Sequence, residues 1–317
     1  MKIVCLDGYT LNPGDNPWDA VAALGEFTVH ERTAEAEILE RAAGAEVLLT
    51  NKTPLTRATL EQLPELKFIG VLATGFNVVD AAAARERGIA VSNVPIYGTD
   101  AVAQFVFALV LNHCHHVALH SEAVKAGRWA AAKDFCFWDT PLIELAGQTI
   151  GIVGFGRIGR RVGQIAAALG MRILANDSYR ENPPPYDFEW ASIEDLFARS
   201  DVVSLHCPQT DDNAGFVNAP LLGRMKPSAF LVNTARGGLV NEADLASALN
   251  DGRIAGAACD VVSTEPIRAD NVLLSASNIT ITPHIAWAAL SARKRLMATT
   301  AENVAAYQAG APINVVN

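Results

Sequence analysis

Short, almost wholly apolar runs alternate with segments of helical periodicity over the first hundred residues. The runs are bounded by Gly, Pro and Asn and predict strands at 3–6, 27–30, 46–50, 67–72 and 89–94. The segments between them predict helices at 35–43, 56–62 and 79–87. Strands that are apolar at nearly every position, rather than at every second one, are typical of sheets covered on both faces. The pattern therefore predicts a parallel α/β unit.

A second α/β series follows a long apolar segment and an aperiodic one. Residues 100–125, rich in Ala, Val, Phe and Leu, predict one long buried helix, and residues 127–146 predict an extended arm with four aromatic residues, Trp129, Phe135, Phe137 and Trp138. Strands are then predicted at 149–153, 172–175, 202–205, 230–233, 254–261 and 279–282, and helices at 157–169, 192–199, 219–225 and 242–250. A last helix at 288–309 is expected to return to the first unit.

Length, charge and cysteine content narrow the class of protein. At roughly 150 residues per domain, 317 residues suggest two domains. A formal net charge of −9 would repel nucleic acids and anionic membranes, so neither is an expected partner. Five scattered cysteines without CxxC spacing suit a reducing compartment. Since no signal peptide or membrane segment is predicted, we expect a cytoplasmic protein.

The most informative local motif is rich in glycine and lies between a predicted strand and a predicted helix. Gly154, Gly156 and Gly159 form the pattern GxGxxG, with Arg157 and Ile158 inside it. In such a motif the first glycine permits a tight turn, the second lets the backbone approach a pyrophosphate, and the third lets helix and strand pack closely. Backbone amides at the helix N-terminus attract the phosphates. The motif therefore predicts a dinucleotide site.

Asp177 lies at the end of the next predicted strand, close to the spacing of about 20 residues expected for a ribose-binding acid. Its carboxylate can accept hydrogen bonds from the ribose hydroxyls and would repel a 2′-phosphate, which favours NAD over NADP. Arg180, a little further along, could bind a phosphate, so NADP stays open as an alternative.

A group of histidines falls within the long predicted helix, at His113, His115, His116 and His120. The last two share a helical face, as metal ligands would. No HExxH glutamate accompanies them, however. We interpret these side chains as a partly exposed helix face and expect no metal.

Motifs spread over essentially the whole chain, and occurring in the expected order, resemble the D-isomer-specific 2-hydroxyacid dehydrogenases. They are LDGYTLNPGD at 6–15, LATG at 72–75, GFGRIG at 154–159, NTARG at 233–237, STEP at 263–266 and TPHIAW at 282–287. Within the family, the first and last motifs are most similar to glycerate dehydrogenases, also called hydroxypyruvate reductases. The resemblance implies two doubly wound parallel-sheet domains. One is a discontinuous, flavodoxin-like substrate domain at 1–98 and 288–317, and the other is an inserted NAD-binding Rossmann domain at 99–287.

The same resemblance implies a catalytic trio of Arg236, Glu265 and His284. The planar guanidinium of Arg236 suits a substrate carboxylate and the adjacent carbonyl. His284 can donate a proton to the developing alkoxide in reduction and accept it in oxidation, because imidazole changes charge near neutral pH. Glu265 would orient the imidazole and favour its protonated form. Taken singly, each residue has an ordinary structural alternative as a surface charge or part of a buried turn.

Further positions take expected roles from the resemblance alone. Ala73, Thr74 and Gly75 match the loop whose backbone amides bind the substrate carboxylate, an anion nest. The nicotinamide end of NAD is expected near Arg236, near the segment from His284 to Trp287, and near Thr234, Ala235 and Asp260. The adenine side is expected near Cys207 and Pro208. Asp260 has a structural alternative as a turn carboxylate.

The predicted reaction is reversible reduction of a short 2-oxo acid by NADH to a D-2-hydroxy acid, with hydroxypyruvate and D-glycerate as the best single pair. Two alternatives stay open. One is the same chemistry on glyoxylate, pyruvate or a bulkier 2-oxo acid. The other is an NAD-sensing binding protein that uses the fold to recognise a partner, as the family's transcriptional corepressors do. The aromatic arm predicts a homodimer with the arm at the interface, and a further hypothesis is that Trp138 reaches the neighbouring active site.

Overall fold

The computed structural model describes all 317 residues, whose contacts divide the chain into two compact units. Unit 1 comprises Met1–Gly98 and Trp287–Asn317, and unit 2 comprises Thr99–Ala286. The chain re-enters unit 1 one residue earlier than the resemblance implies, at Trp287 rather than at residue 288. The cause is that the Trp287 ring packs against an apolar cluster of unit 1 and meets the Tyr97 ring edge-on.

Unit 1 is a parallel sheet of five strands with helices on both faces. Its strands are β1 (Lys2–Cys5), β2 (Glu26–Val29), β3 (Val47–Thr50), β4 (Phe68–Val71) and β5 (Ala90–Ser92). Its helices are α1 (Asp19–Ala22), α2 (Ile38–Ala42), α3 (Arg57–Glu61), α4 (Ala81–Glu86) and the C-terminal helix, α11 (Leu290–Gln308). The strand order β2-β1-β3-β4-β5 is that of flavodoxin-like folds, as predicted.

Alternation along the strands of unit 1 divides its apolar residues between the two faces. Val4, Leu48 and Ile69 pack in one cluster, and their strand neighbours Ile3, Leu49 and Phe68 pack in another. Every residue of β3 and β4 is buried. The nearly continuous apolar runs in the sequence reflect this coverage of both faces.

Unit 2 is a parallel sheet of seven strands. They are β6 (Thr149–Val153), β7 (Arg172–Asn176), β8 (Glu189–Trp190), β9 (Val202–Leu205), β10 (Phe230–Asn233), β11 (Gly256–Cys259) and β12 (Ile279–Ile281). The helices are α5 (Thr99–His115), α6 (Val117–Lys125), α7 (Arg157–Ala168), α8 (Ile193–Arg199), α9 (Ala219–Leu222) and α10 (Glu242–Asn250). The order β12-β11-β10-β9-β6-β7-β8 confirms the predicted Rossmann architecture. The two-residue edge strand β8 was not predicted.

The prediction of one helix at 100–125 is wrong. His116 separates α5 from α6 and has left-handed backbone angles, φ 43° and ψ 47°. Histidine is among the residues that tolerate this conformation, and apolar periodicity on both sides of a single such residue conceals the break. No helix alone is long and apolar enough to cross a membrane; α5 and α6, bent by 53°, meet that test only as a pair, by length and composition.

Candidate active site

The glycine-rich loop lies between β6 and α7, and its three glycines differ in the atoms that surround them. Gly154 has φ +89°, and a Cβ there would overlap the backbone of Cys207. A Cβ on Gly159 would overlap the carbonyl oxygen of Gly154. By contrast, a Cβ on Gly156, the N-cap of α7, would meet no atom within 4 Å. The first and third glycines thus permit close packing, while the second opens a space at the helix N-terminus that fits a pyrophosphate.

Asp177 follows β7, and its carboxylate is already bound to the glycine-rich loop. Oδ2 accepts a hydrogen bond from the Phe155 amide at 2.6 Å, and Oδ1 accepts one from the Tyr179 amide at 2.9 Å. Each carboxylate oxygen keeps a second lone pair, which fits a ribose hydroxyl. The Arg180 guanidinium lies over the Trp190 ring, 5.2 Å from its centroid. Asp177 therefore fixes the glycine-rich loop and retains the capacity to bind ribose.

The loop after β10 carries Arg236 in a turn held by Asn233. The Asn233 side chain accepts from the Ala235 amide at 3.1 Å and donates to the Arg236 carbonyl at 2.9 Å. Thr234 Oγ1 in the same turn is buried without a hydrogen-bond partner. A buried hydroxyl of this kind requires a ligand or water, and the expected nicotinamide end of NAD fits that requirement.

The Arg236 side chain is exposed, and its Nη1 donates to the Ala235 carbonyl at 2.7 Å. The next residue, Gly237, is so close to Val262 that a Cβ would overlap the Val262 carbonyl group. The turn that carries Arg236 therefore packs tightly against the loop after β11, the strand that precedes Glu265. Such contact fixes the backbone from which the Arg236 side chain extends.

His284 and Glu265 are joined by a hydrogen bond in which His284 Nδ1 and Glu265 Oε2 are 2.6 Å apart. The other carboxylate oxygen of Glu265 accepts from the Val262 amide at 3.3 Å. Both side chains are about one-third exposed, 31% for His284 and 33% for Glu265. With Nδ1 bound to the carboxylate, Nε2 is the ring nitrogen left to face a ligand.

Asp260 holds the backbone of the loop that carries His284. It is 1% exposed, and its carboxylate accepts from Thr282 Oγ1 at 2.6 Å and from the amides of Ile285 and Ala286 at 2.9 and 2.8 Å. The His284 amide also donates to the Asp260 carbonyl at 2.8 Å. His284 itself has φ +54°. This is the arrangement of a turn carboxylate, and contact of Asp260 with NAD stays a prediction.

Cys207 and Pro208 follow β9, and Cys207 lies against Gly154 as described above. Burial raises the pKa of the Cys207 thiol, so this group is neutral near pH 7. In unit 1, Ala73, Thr74 and Gly75 follow β4. The carbonyl of Ala73 accepts from the Val94 amide at 3.0 Å, and Thr74 Oγ1 donates to the Val94 carbonyl at 2.8 Å.

Of the four histidines, His113 and His115 lie in α5, His116 lies between the helices and His120 lies in α6. The His113 and His116 rings meet edge-on with centroids 6.2 Å apart, and His120 Nδ1 is 2.9 Å from the His116 carbonyl oxygen. His113 stacks on Phe230 with centroids 4.0 Å apart, and His120 Nε2 accepts from the Asp139 amide at 3.2 Å. No group of three or more His, Cys, Asp and Glu side chains suited to a metal occurs in the chain. Sequence reasoning overlooked Thr282, which binds Asp260, and Asn93, which binds the Thr74 carbonyl. Each lies just beyond a strand in a known motif or turn, but nothing in the sequence identifies its partner.

Comparison with known proteins identifies the family of this chain. Residues 107–286 match the model of the D-isomer specific 2-hydroxyacid dehydrogenase NAD binding domain. A hydroxypyruvate reductase of Blautia hydrogenotrophica is 49% identical, with 100% of both chains covered. A glycerate dehydrogenase of Methylorubrum extorquens is 42% identical over 92% of both chains.

Solved structures agree with these relatives. D-2-hydroxyisocaproate dehydrogenase is 26% identical, with a TM-score of 0.85 over 100% of this chain and 99% of that one. An NADPH-dependent glyoxylate/hydroxypyruvate reductase of Sinorhizobium meliloti is 26% identical, with a TM-score of 0.84 over 99% and 97%. The chain therefore belongs to the D-isomer specific 2-hydroxyacid dehydrogenase family, in which it is an NAD-dependent oxidoreductase.

Proposed function

We propose that the protein reduces hydroxypyruvate to D-glycerate with NADH, reversibly, and that Arg236, Glu265 and His284 are its catalytic residues. The observation that carries this proposal is the hydrogen bond between Glu265 Oε2 and His284 Nδ1 at 2.6 Å, in the same unit as the glycine-rich loop and Arg236. The full-length similarity to a hydroxypyruvate reductase and a glycerate dehydrogenase supports the choice of substrate.

Proton transfer falls to His284. NAD supplies or accepts the hydride when bound, and the protein provides alignment and the proton. In reduction, protonated His284 donates from Nε2 to the oxygen of the 2-oxo group as it becomes an alkoxide. Glu265, bound at Nδ1, holds the ring in one orientation and compensates the positive charge of the protonated imidazole. In oxidation, neutral His284 accepts the hydroxyl proton at the same nitrogen.

Substrate binding falls to groups that recognise a carboxylate beside a carbonyl. The Arg236 guanidinium offers parallel N–H donors, a geometry that an ammonium group lacks. The amides of Thr74 and Gly75 in unit 1 donate to no protein acceptor, which suits the anion nest expected at Ala73, Thr74 and Gly75. We propose that these amides, Arg236 and His284 bind the substrate.

A panel of 2-oxo acids tests the proposed function. Hydroxypyruvate, glyoxylate, pyruvate and a branched 2-oxo acid are each assayed with NADH and with NADPH, and kcat/KM values are compared. We expect the highest value for hydroxypyruvate with NADH. A higher kcat/KM for another acid would show that hydroxypyruvate is not the preferred substrate, but it would be consistent with the proposed mechanism. No oxidation of NADH with any acid would overturn the proposal and favour an NAD-sensing binding protein.

We also propose a homodimer formed through the arm, residues 127–146. The arm contains no helix or strand, and its Phe135, Trp138 and Trp129 side chains are 88%, 62% and 52% exposed. The Trp129 ring nitrogen donates to the Phe135 carbonyl, and Arg128 pairs with Asp139, so internal contacts fix the arm while its aromatic surface stays uncovered. An apolar surface of this kind favours association.

Light scattering tests the dimer. We expect twice the chain mass at micromolar concentration, and a shift toward the monomer in a Phe135→Ser, Trp138→Ser double variant. Val29→Ser, on the exposed edge strand of unit 1, serves as the control that should not shift it. A monomeric wild-type chain would overturn the dimer and the hypothesis that Trp138 reaches a neighbouring site. We further propose a cytoplasmic location, which five free cysteines suit.

A further inference from the structure

The loop at Ala73, Thr74 and Gly75 is connected to the C-terminal segment of the chain by asparagine side chains. Asn93 follows β5, and its Nδ2 donates to the Thr74 carbonyl at 2.7 Å. The adjacent Val94 amide donates to the Ala73 carbonyl at 3.0 Å. Two of the three carbonyls of this loop are therefore held by two successive residues of the neighbouring loop, Asn93 and Val94.

Holding these carbonyls fixes the direction of the loop's amides. In a trans peptide, the carbonyl of one residue and the N–H of the next point to opposite sides of the same plane. A hydrogen bond on the Ala73 carbonyl therefore orients the Thr74 amide away from Val94, and a bond on the Thr74 carbonyl orients the Gly75 amide away from Asn93. These are the two amides that donate to no protein acceptor.

Asn93 is itself fixed by two further asparagines. Its carbonyl accepts from Asn303 Nδ2 at 2.9 Å, and its amide donates to the Asn314 carbonyl at 3.1 Å. Asn314 Nδ2 in turn donates to Asn303 Oδ1 at 2.8 Å. Asn93 and Asn303 are 8% and 2% exposed, so water does not compete well for these bonds.

We propose that Asn93 is a positioning residue for the reaction, and that Asn303 and Asn314 act through it. The Asn93 side chain aligns the Thr74 and Gly75 amides for the carboxylate of the 2-oxo acid, and the C-terminal segment after α11 is thereby coupled to substrate affinity. The inference rests on the proposed function, since it assumes that these amides bind the substrate.

Three variants test the coupling. Asn93→Ala removes the donor to Thr74. Asn314→Gly removes the donor to Asn303 and keeps a residue that accepts the left-handed φ of +54° at this position. Asn317→Ala is the matched control, since Asn317 binds the Val91 amide and the Ile89 carbonyl, each at 2.8 Å, in the same C-terminal segment but has no bond to Asn93.

The readouts are KM for hydroxypyruvate, KM for NADH, the Kd of oxamate for the enzyme with NADH bound, and hydrogen exchange of a peptide containing residues 73–76 in the complex with NADH and saturating oxamate, where the Thr74 and Gly75 amides are expected to donate to the carboxylate. For Asn93→Ala we expect roughly a tenfold rise in KM for hydroxypyruvate and in the Kd of oxamate, the value of one buried hydrogen bond. For Asn314→Gly we expect a smaller rise in the same direction. In both variants, KM for NADH stays constant and the 73–76 peptide exchanges faster.

The control separates this role from general loosening. Asn317→Ala should lower the Tm without changing the KM for hydroxypyruvate or the exchange of the 73–76 peptide. Equal KM changes in all three variants, or unchanged exchange in a folded Asn93→Ala protein, would overturn the inference. If the wild-type chain binds no oxamate and reduces no 2-oxo acid, the proposed function fails and the substrate part of the inference fails with it.

Discussion

Asp7 in unit 1 and Asp260 in unit 2 hold neighbouring loops in the same way. Each lies just after a parallel strand, β1 or β11, and binds successive backbone amides of another loop. Asp7 accepts from the amides of Asn51, Lys52 and Thr53, at 2.7, 2.5 and 2.7 Å. Asp260 accepts from two amides and a hydroxyl in the loop that carries His284.

The two carboxylates differ in burial and in what they hold. Asp7 is half-buried, and its loop contains none of the proposed catalytic residues. Asp260 is 1% exposed, and its loop contains His284 with a left-handed φ. A non-glycine residue in that conformation needs surroundings that over-determine it, and hydrogen bonds to a buried carboxylate are strong enough to do so. The comparison indicates that the same arrangement, a carboxylate bound to backbone amides, maintains the fold in unit 1 and the geometry of the proposed proton donor in unit 2.

The largest effect is expected where the Asp260 loop presents its reactive group. His284→Gln removes the proposed proton donor, so kcat/KM for reduction should fall by roughly 10²- to 10⁴-fold, with little change in Tm. His115→Gln, on the exposed end of α5, is the control and should keep the wild-type rate. Steady-state kinetics with NADH measures both, and a His284→Gln protein with near wild-type activity would remove His284 from the mechanism.

Matched substitutions at the two aspartates test the comparison directly. Asn in place of Asp260 or Asp7 leaves one acceptor oxygen and turns an NH₂ group toward backbone donors, so either variant should lose about 1–3 kcal/mol of unfolding free energy. Asp260→Asn should also lower kcat roughly tenfold or more because the His284 loop shifts. Asp7→Asn should keep kcat within about threefold. Urea denaturation measures the loss of stability, and steady-state kinetics measures kcat. Equal losses of kcat in Asp260→Asn and Asp7→Asn would contradict the different roles given to the two aspartates.

Asp177 extends the comparison to a third carboxylate, one that fixes a loop and is also expected to bind ribose. Asp177→Ala should raise KM for NADH roughly tenfold and narrow the preference for NADH over NADPH. Kinetics with both cofactors measures the ratio. An unchanged ratio with a lower Tm would reduce Asp177 to the structural role of Asp7.

The smallest expected effect is on stability in acid, which should again differ between the two units. Burial lowers the pKa of His206 to about 3 and that of His113 to about 4, both in unit 2. In the unfolded chain these histidines have pKa values near 6.5, so below that pH they bind protons that the folded protein does not bind. Unfolding free energy should therefore fall as pH falls from about 6.5 toward these lower values, by about 1.4 kcal/mol per pH unit for each group.

His206→Gln should flatten that dependence, since the amide can replace the hydrogen bond between His206 Nε2 and Ser204 Oγ, 2.8 Å apart. Urea denaturation from pH 7 to pH 5 measures the slope. Burial lowers the pKa of one histidine in unit 1, His30, but of two in unit 2, so hydrogen exchange at pH 5 should show more loosening in unit 2. Identical slopes for wild type and His206→Gln would contradict this source of acid sensitivity.

The sequence predicts the parts of this molecule that rest on local pattern. Apolar runs such as Val47–Thr50 are buried on both faces, and Gly154 occupies the positive-φ position that its motif requires. The break at His116 was missed because one residue changes backbone direction without changing the apolar pattern. The partners of Asp260 and Asn93 were missed because they lie in other loops, and hydrogen bonds between distant segments leave no local periodicity. The Glu265–His284 contact was inferred only through resemblance, for the same reason.

Asp7 also decides what unit 1 is unable to bind. In sheets with this strand order, the amides at the reversal between β1 and β3 are the usual seat of a ligand phosphate. Here three successive amides at that point already surround a carboxylate from the chain itself. The side chain acts as a permanent internal substitute for an anion, so these three amides are not available to a phosphate. The proposed binding of a small acid in unit 1 therefore depends on a different loop, the one at Ala73, Thr74 and Gly75.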